Sequence, residues 1–593
     1  MELLHAIDDG HLARTILPLH TVDGSPCSTT PPQPFPVHPV WDVPQACWHE
    51  SYPASIAPRI EFAAQRVEQL LLNAAELFPQ RVALRYFGTE WTFQELVSQI
   101  QRIAGHLTSL GLKAGDRILM VLPNCPEFVA LWFAAHWIGA QVVPANPLLA
   151  APELAVLARK CQVKAAIGVD VKLTALAEMT QQVFVPLLIT VSLAPHLPLH
   201  FRAVYWLQKL KQGRIRIGDR TLALKFEELI TSGHWLDRPV LQDVDLPAVL
   251  QPTGGTTGVP KVAVLTHRNL SSNVAQLHTW SGLQAGEETF LSVLPFFHIY
   301  GATCAMLSPL SGGSTLLLQA RFDAKRTLAL IQKWKPGVVL LVPLMIASLN
   351  EELRRRGQSL TGIRLCMSGA SALSAEVAAT FQELTGAIIL EGFGLSEASP
   401  VTHSNPADGT ARIGSIGLPL PNTEVRLMDL ETGTREVGIG EIGELTIRGP
   451  QIMQGYLDEP AETAIALRDG WLFTGDLARM DEDGFFRVVD RKKDMIKSGG
   501  LNVYPTEIEH VLTRHPAVAR CAVVGVPDEK YGELVRAWIV RKPGATVTAD
   551  ALKSFCRSEL ASYKIPKDIQ FCDELPENFL GKVRRIDLRH RAA

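Results

Sequence analysis

At 593 residues, with a net charge of −3, 47% hydrophobic and 20% charged residues, the chain has an ordinary globular composition. It is too long for one core and lacks the global basic field that nucleic-acid binding calls for. Nine cysteines are scattered without a C-x-x-C pair, which argues against a zinc or disulfide framework and for a reduced, cytoplasmic chain in which Cys27, Cys47 and Cys366 are inert. The opening MELLHAIDDGHLARTILPLH lacks a secretory pattern. The most apolar stretch, Phe128 to Pro144, is broken by His136, Gly139 and Gln141, short of the ~18 apolar residues a membrane span needs.

Clustered prolines predict a poorly ordered, extended leader over residues 1–50. Apolar residues at helical spacing (Ile60, Ala63, Val67, Leu70, Leu71, Ala74, Leu77) predict an amphipathic helix over 59–78. Strand-like runs at 117–124, 141–146 and 165–169 then alternate with helical ones at 126–137 and 152–161. Such alternation predicts an α/β architecture with a parallel sheet covered on both faces. Residues 173–235 read as less regular and locally basic, with Arg202, Lys209, Lys211, Arg214 and Arg216 among Phe201, Tyr205 and Trp206. That composition suits a solvated surface insertion, which the weak helical moment favours, or docking on an anionic membrane.

The richest stretch is QPTGGTTGVPKVAVLTH, 251–267. Thr253, Gly254, Gly255, Thr256, Thr257, Gly258 and Lys261 combine backbone N–H groups free of side chains, hydroxyl donors and a point charge, a composition suited to polyphosphate. It is not a Walker loop, since Lys261 follows Pro260 and precedes Val262. Further on, LPFFHIYG (294–301) sets His298 among aromatics, either as a hydrogen-bonded core residue or as a ligand-facing one. Strand candidates at 336–343 and 363–370 end in small residues, where parallel sheets admit ligands.

Taken in order with ILEGFGLSEASP, WLFTGDLA, FRVVDRKKDMIKSGGLNVYPTEIE and LPENFLGKVRRIDLR, these motifs resemble those of the adenylate-forming superfamily. The likeness covers about 60–590 and is greatest to bacterial long-chain fatty-acid CoA ligases. It implies a large, multi-subdomain N-terminal domain with parallel-rich sheets (51–491) and a small α+β C-terminal lid (492–593). The implied reaction is two-step: a fatty acid and ATP give acyl-AMP and pyrophosphate, then CoA displaces AMP. Carried over by position, the loop from Thr253 to Lys261 holds phosphates, and Gly369, Ala370, Ser371, Glu391, Gly392 and Phe393 face adenine and ribose together with Asp476 and Arg491. Ser396 meets the α-phosphate, Glu397 holds Mg2+, and Lys582 is the catalytic cation. His298 and Gly394 line the acyl site; Lys493 is the hinge, and Ser498, Gly499 and Gly500 line the thiol route.

Four positions depart from the family pattern. Phe393 replaces the usual tyrosine and Ser396 the usual threonine; Pro252 stands for an aromatic and Val262 for a glycine that gives the loop freedom. The resemblance leaves as alternatives a fatty acyl-AMP ligase loading a carrier protein, an aryl or dicarboxylic acid CoA ligase, and a silent acyl- or nucleotide-binding protein. Its partners are the small molecules fatty acid, ATP and CoA, with no nucleic acid; a homodimer and peripheral association with the inner face of a membrane stay open.

Overall fold

The alternating runs assemble two large sheets with parallel centres, one flanked by antiparallel strands at both edges and the other at one edge. The computed structural model of the protein describes residues 46–211, 215–253, 260–498, 501–528, 531–577 and 583–591. In the eight-stranded sheet, Pro247–Pro252, Gln141–Pro144, Arg117–Val121, Ala165–Val169, Leu187–Val191 and Leu222–Lys225 lie side by side and parallel. Val262–Thr266 and Gly455–Tyr456 add an antiparallel edge. In the nine-stranded sheet the parallel centre is Val82–Tyr86, Thr315–Leu318, Thr289–Ser292, Val338–Leu341, Leu365–Ser368 and Ile388–Gly394. Every residue of the helix Pro126–Trp137 is buried. It touches Gln141–Pro144 of one sheet and Val82–Tyr86 of the other, so its all-round apolar sequence is that of a helix between layers.

A third, antiparallel sheet holds Glu424–Met428, Gly443–Arg448, Trp471–Met480 and Phe486–Arg491. The fourth is built only from strands within 496–571, and its helices Pro505–Thr513 and Ala549–Arg557 close a separate core around Ile508, Val523, Val535 and Leu552. A large N-terminal domain with a small α+β C-terminal one is thus the architecture. No described helix is long and apolar enough to cross a membrane.

Three sequence expectations shift. The helix expected over 59–78 is Val67–Leu77. Upstream, Asn422 bonds both N and O of Ile60 (3.0 and 2.8 Å) and holds the chain extended, and His267 Nδ1 accepts from Val67 N at 3.1 Å, which sets the start. The leader, expected to run to residue 50, gives way earlier to a 3-10 helix, Cys47–Ser51, with Trp48 buried against Phe486. Residues 173–235, read as less regular, continue the sheet with the strands Leu187–Val191 and Leu222–Lys225 and carry the helices Leu173–Gln182, Leu199–Lys211 and Phe226–Thr231.

The helix Phe93–Ser109 offers a local stability test. Thr92 Oγ1 accepts from Glu95 N at 3.2 Å while Thr92 N donates to Glu95 Oε2 at 2.7 Å, a reciprocal cap. Thr92→Ala is expected to cost about 1 kcal/mol, seen as a lower thermal midpoint with Thr92→Ser near wild type. An unchanged midpoint for both would mean the cap carries no stability.

Candidate active site

The glycine- and threonine-rich stretch sits at the tip of an antiparallel hairpin. Pro252 pairs with Val262 across it, and Thr253 N donates to Lys261 O at 2.8 Å. The tip itself, with Gly254, Gly255, Thr256, Thr257 and Gly258, lies outside the described residues. Val262 is fully buried inside a strand, so the glycine freedom expected at that position is not needed there. Lys261 Nζ pairs with Glu462 at 2.5 Å and lies 5.0 Å over the Tyr456 ring. Lys160 Nζ donates to Pro260 O at 3.0 Å and pairs with Glu459, which ties the base of the tip to the helix Ala151–Lys160.

Tyr456 pairs with Ala263 on the hairpin's outer edge, and its hydroxyl donates to Glu397 Oε1 at 2.8 Å. Glu397 and the half-buried Ser396 occupy a 3-10 turn, Ser396–Ala398, just after the strand Ile388–Gly394. Gly394 is required where it stands, because a Cβ there would lie 2.3 Å from Pro400 O. Among the described residues no lysine, arginine or histidine pairs with Glu397, and no three acidic, cysteine or histidine side chains gather to hold a metal by themselves. A lone, half-buried carboxylate beside a phosphate-suited hairpin fits Mg2+, which takes few protein carboxylates and completes its shell with phosphate oxygens and water.

The LPFFHIYG segment (294–301) meets the hairpin strand at one point and a neighbouring turn at another. Gln251 Nε2 donates to Phe297 O at 3.3 Å, and the Tyr300 ring lies 3.1 Å from where a Cβ of Gly369 would be. The close approach of the ring suits a glycine at that turn, whose next residue, Ala370, holds φ +71°. Ser371 is exposed beside it. His298 Nδ1 accepts from Tyr300 N at 3.3 Å, and burial pushes its imidazole down to about 4, so the ring is neutral at physiological pH. Glu391 accepts from Leu373 N at 3.1 Å and Gly414 N at 2.6 Å, bracing the far side of the turn. Burial raises its pKa. Gly392 and Phe393 continue the same strand, with Phe393 opposite His403.

Asp476 and Arg491 face each other across neighbouring antiparallel strands with Oδ1 and Nε 3.1 Å apart. Lys493 lies two residues beyond Arg491, its ammonium pKa lowered by burial and by Arg491. Arg589 from the last helix donates to Lys493 O and Asp494 Oδ1, both at 3.2 Å. Ser498 pairs with Leu501 in a hairpin whose tip, Gly499–Gly500, lies outside the described residues, as does Lys582. The described candidates therefore form one group of the hairpin, Glu397 and residues 294–301, and a second of Asp476, Arg491 and Lys493.

Sequence reasoning passed over Tyr456 and Glu462. They stand 59 and 201 positions from their partners Glu397 and Lys261, and neither carries a local pattern that would announce such a contact. The profile of the family described as "AMP-binding enzyme" matches residues 71–457, and that of the "AMP-binding enzyme C-terminal domain" matches 507–582. A "Long-chain-fatty-acid--CoA ligase" of Bacillus subtilis is 37% identical over 544 residues, covering 91% of this chain and 97% of its own length. The protein of the same name from Salmonella typhimurium is 36% identical, with 92% and 98% covered. Among solved structures, ATP-bound MatB from Rhodopseudomonas palustris superposes with a TM-score of 0.76 at 28% identity, covering 88% of this chain and 98% of that one.

Proposed function

The chain belongs to the AMP-binding enzyme family, and from that premise we propose that it is an AMP-forming acid–thiol ligase that joins a long- or medium-chain fatty acid to CoA by way of acyl-AMP. The observation that carries this reading is the convergence of the hairpin, Glu397 and the segment 294–301 through Tyr456, Gln251 and Tyr300. In the first half-reaction the acid's carboxylate attacks the α-phosphorus of ATP, the bond to the β-phosphate oxygen breaks, and pyrophosphate leaves. Such a step is catalysed by positioning and by stabilising charge.

In this reading the residues from Thr253 to Lys261 hold the β- and γ-phosphates, and Ser396 donates to the α-phosphate. Glu397 holds Mg2+, which supplies charge neutralisation on the phosphate oxygens. The turn Gly369–Ser371 and Phe393 flank adenine, with Glu391 and Gly392 behind them, and Asp476 accepts from the ribose hydroxyls with Arg491 beside it. Gly394 and the neutral His298 border the acid, and Lys582 approaches the transferring phosphorus. In the second half-reaction the small domain pivots at Lys493 and the CoA thiolate, arriving past Ser498, Gly499 and Gly500, attacks the acyl carbon and releases AMP. All eight described cysteines are unpaired, which suits a reducing compartment, and we place the reaction in the cytoplasm.

The test is pyrophosphate release with acids of graded length plus benzoate and cinnamate, with and without CoA. Acid-dependent release with AMP and acyl-CoA formed only when CoA is present is the expected result. Release with a retained acyl-AMP and no thioester would replace this reading with a carrier-loading enzyme. Silence with every acid, in a chain that still binds ATP, would replace it with a binding protein.

Glu462 gives a smaller test. Its pair with Lys261 is about one-third exposed on both sides, and pairs of that kind are worth at most about 1 kcal/mol. Because ATP must take Lys261 from it, Glu462→Gln is expected to lower KM for ATP about two- to fivefold at unchanged kcat. A raised KM would mean Glu462 positions Lys261 for phosphate.

A further inference from the structure

The 3-10 helix Cys47–Ser51, with Tyr52 after it, touches two sheets. On one side it holds the turn that joins Trp471–Met480 to Phe486–Arg491. Ser51 Oγ donates to Asp483 O at 2.7 Å, and Cys47 Sγ donates to Met480 Sδ at 3.8 Å. Gly484 in that turn has φ +81°, and a Cβ there would stand 2.5 Å from Trp48 Cα, so the two backbones lie directly on each other. On the other side the Tyr52 hydroxyl donates to Pro419 O. Pro419 pairs with His403, and His403 with Phe393, in an antiparallel edge of the nine-stranded sheet.

Each of these sheets carries half of the proposed nucleoside site. Asp476 and Arg491 stand opposite each other on the strands that the turn joins, and Phe393 stands on Ile388–Gly394. Between them runs an unbroken file of rings. Trp48 meets Phe486 at 5.8 Å between centroids, Phe486 meets His403 at 5.0 Å, and His403 meets Phe393 at 6.0 Å. Interplanar angles of 68°, 64° and 71° put each pair in the edge-to-face arrangement that aromatic rings favour. Trp48, Phe486 and His403 are buried while Phe393 is half-buried, so the file is sealed behind Phe393.

Few polar contacts fix these rings. Among the described residues Trp48 Nε1 and His403 Nε2 have no hydrogen-bond partner, and the His403 ring is tethered through Nδ1, 2.9 Å from Thr402 Oγ1. Ser415 Oγ donates to Phe486 O at 2.7 Å and Phe486 N donates to Gly417 O at 3.0 Å, which holds the main chain and leaves the ring to packing. Close-packed rings held by their neighbours pass a displacement on. We infer that Trp48 is a positioning residue for the nucleoside: it braces Phe486 and His403 behind Phe393, and its segment staples the Phe393 strand to the strands bearing Asp476 and Arg491. A site braced in this way spends less of its binding energy on ordering itself. The effect on ATP rests on the proposed roles of Phe393, Asp476 and Arg491.

The experiment compares full-length wild type, Trp48→Leu and Trp48→Phe by equilibrium ATP binding, steady-state kinetics and thermal midpoint. Trp48→Leu fills the space without a ring edge. It should weaken ATP binding and raise KM for ATP about three- to tenfold, with kcat and KM for the acid within about twofold of wild type. Inhibition by AMP, which carries base and ribose, should weaken by the same factor, and inhibition by pyrophosphate, which carries neither, should not change. Trp48→Phe keeps an edge against Phe486 and should restore most of the affinity. A lower thermal midpoint with unchanged ATP and AMP binding would make Trp48 a packing residue and overturn the inference. Equal losses for AMP and pyrophosphate would overturn it too. ATP binding that depends on Trp48, in a chain that activates no acid, would leave the positioning standing and remove the ligase reading.

Discussion

Glu397→Gln is expected to lower kcat/KM for acid-dependent pyrophosphate release about 10²- to 10³-fold while leaving the fold intact. The substitution is clean because the amide oxygen of glutamine can still accept from Tyr456, which now donates to Glu397 Oε1 at 2.8 Å. What is lost is the negative charge that would hold Mg2+ on the phosphates, and a hard cation gains little from a neutral amide. The loss should appear mainly in kcat, with a steeper Mg2+ requirement. Tyr456→Phe, which removes a donor and keeps the carboxylate, is expected to cost only a few-fold. A loss below about fivefold for Glu397→Gln would take the metal from this residue.

The second large effect is on stability in acid. His136, His267 and His403 are all almost wholly buried. Burial pushes His136 down to about 4 and His403 to about 3, and lowers His267 well below its usual range, with His136 adding to the effect. Each takes a proton near 6.5 once unfolded, so each contributes stability that is present above that pH and is lost as pH falls toward its folded value. At pH 5 the loss is about 2 kcal/mol each for His136 and His403, and unfolding should take up roughly one proton at each. The thermal midpoint should therefore drop steeply from pH 6.5 to 4. His403→Phe, which keeps an aromatic between Phe393 and Phe486, should make the slope shallower by about one proton. A slope identical to wild type would mean His403 is not held neutral.

Much of this was readable from the residues, and the exceptions have physical causes. The helix Pro126–Trp137 and the strand Ala165–Val169 fall where the apolar runs place them, since both are buried on all sides and no tertiary contact competes with their pattern. Residues 199–211 defeat the same reading because the apolar face looks outward, so periodicity gives no clue to which side meets the core. The helix beginning at Val67 was misjudged for another reason: its start is set by Asn422 and His267, far along the chain. At the candidate site, motif order is enough to nominate Glu397, Asp476 and Arg491, whereas Tyr456 and Glu462 emerge only when the strand Gly455–Tyr456 is laid on the hairpin.

The early residues that dock against Phe486 bear on how the chain is made. Ser51 Oγ donates to Asp483 O at 2.7 Å, and the two are separated by 432 positions. At ribosomal rates of 5–20 residues per second, that partner emerges roughly twenty to ninety seconds later. Over that interval Trp48 has no Phe486 to bury against, and the nascent large domain exposes an unfinished apolar seam. The small domain, with its core drawn from residues after 495, follows as an independent unit of translation. Chaperone engagement during synthesis should therefore concentrate before about residue 490 has left the ribosome, and fall once the seam has closed.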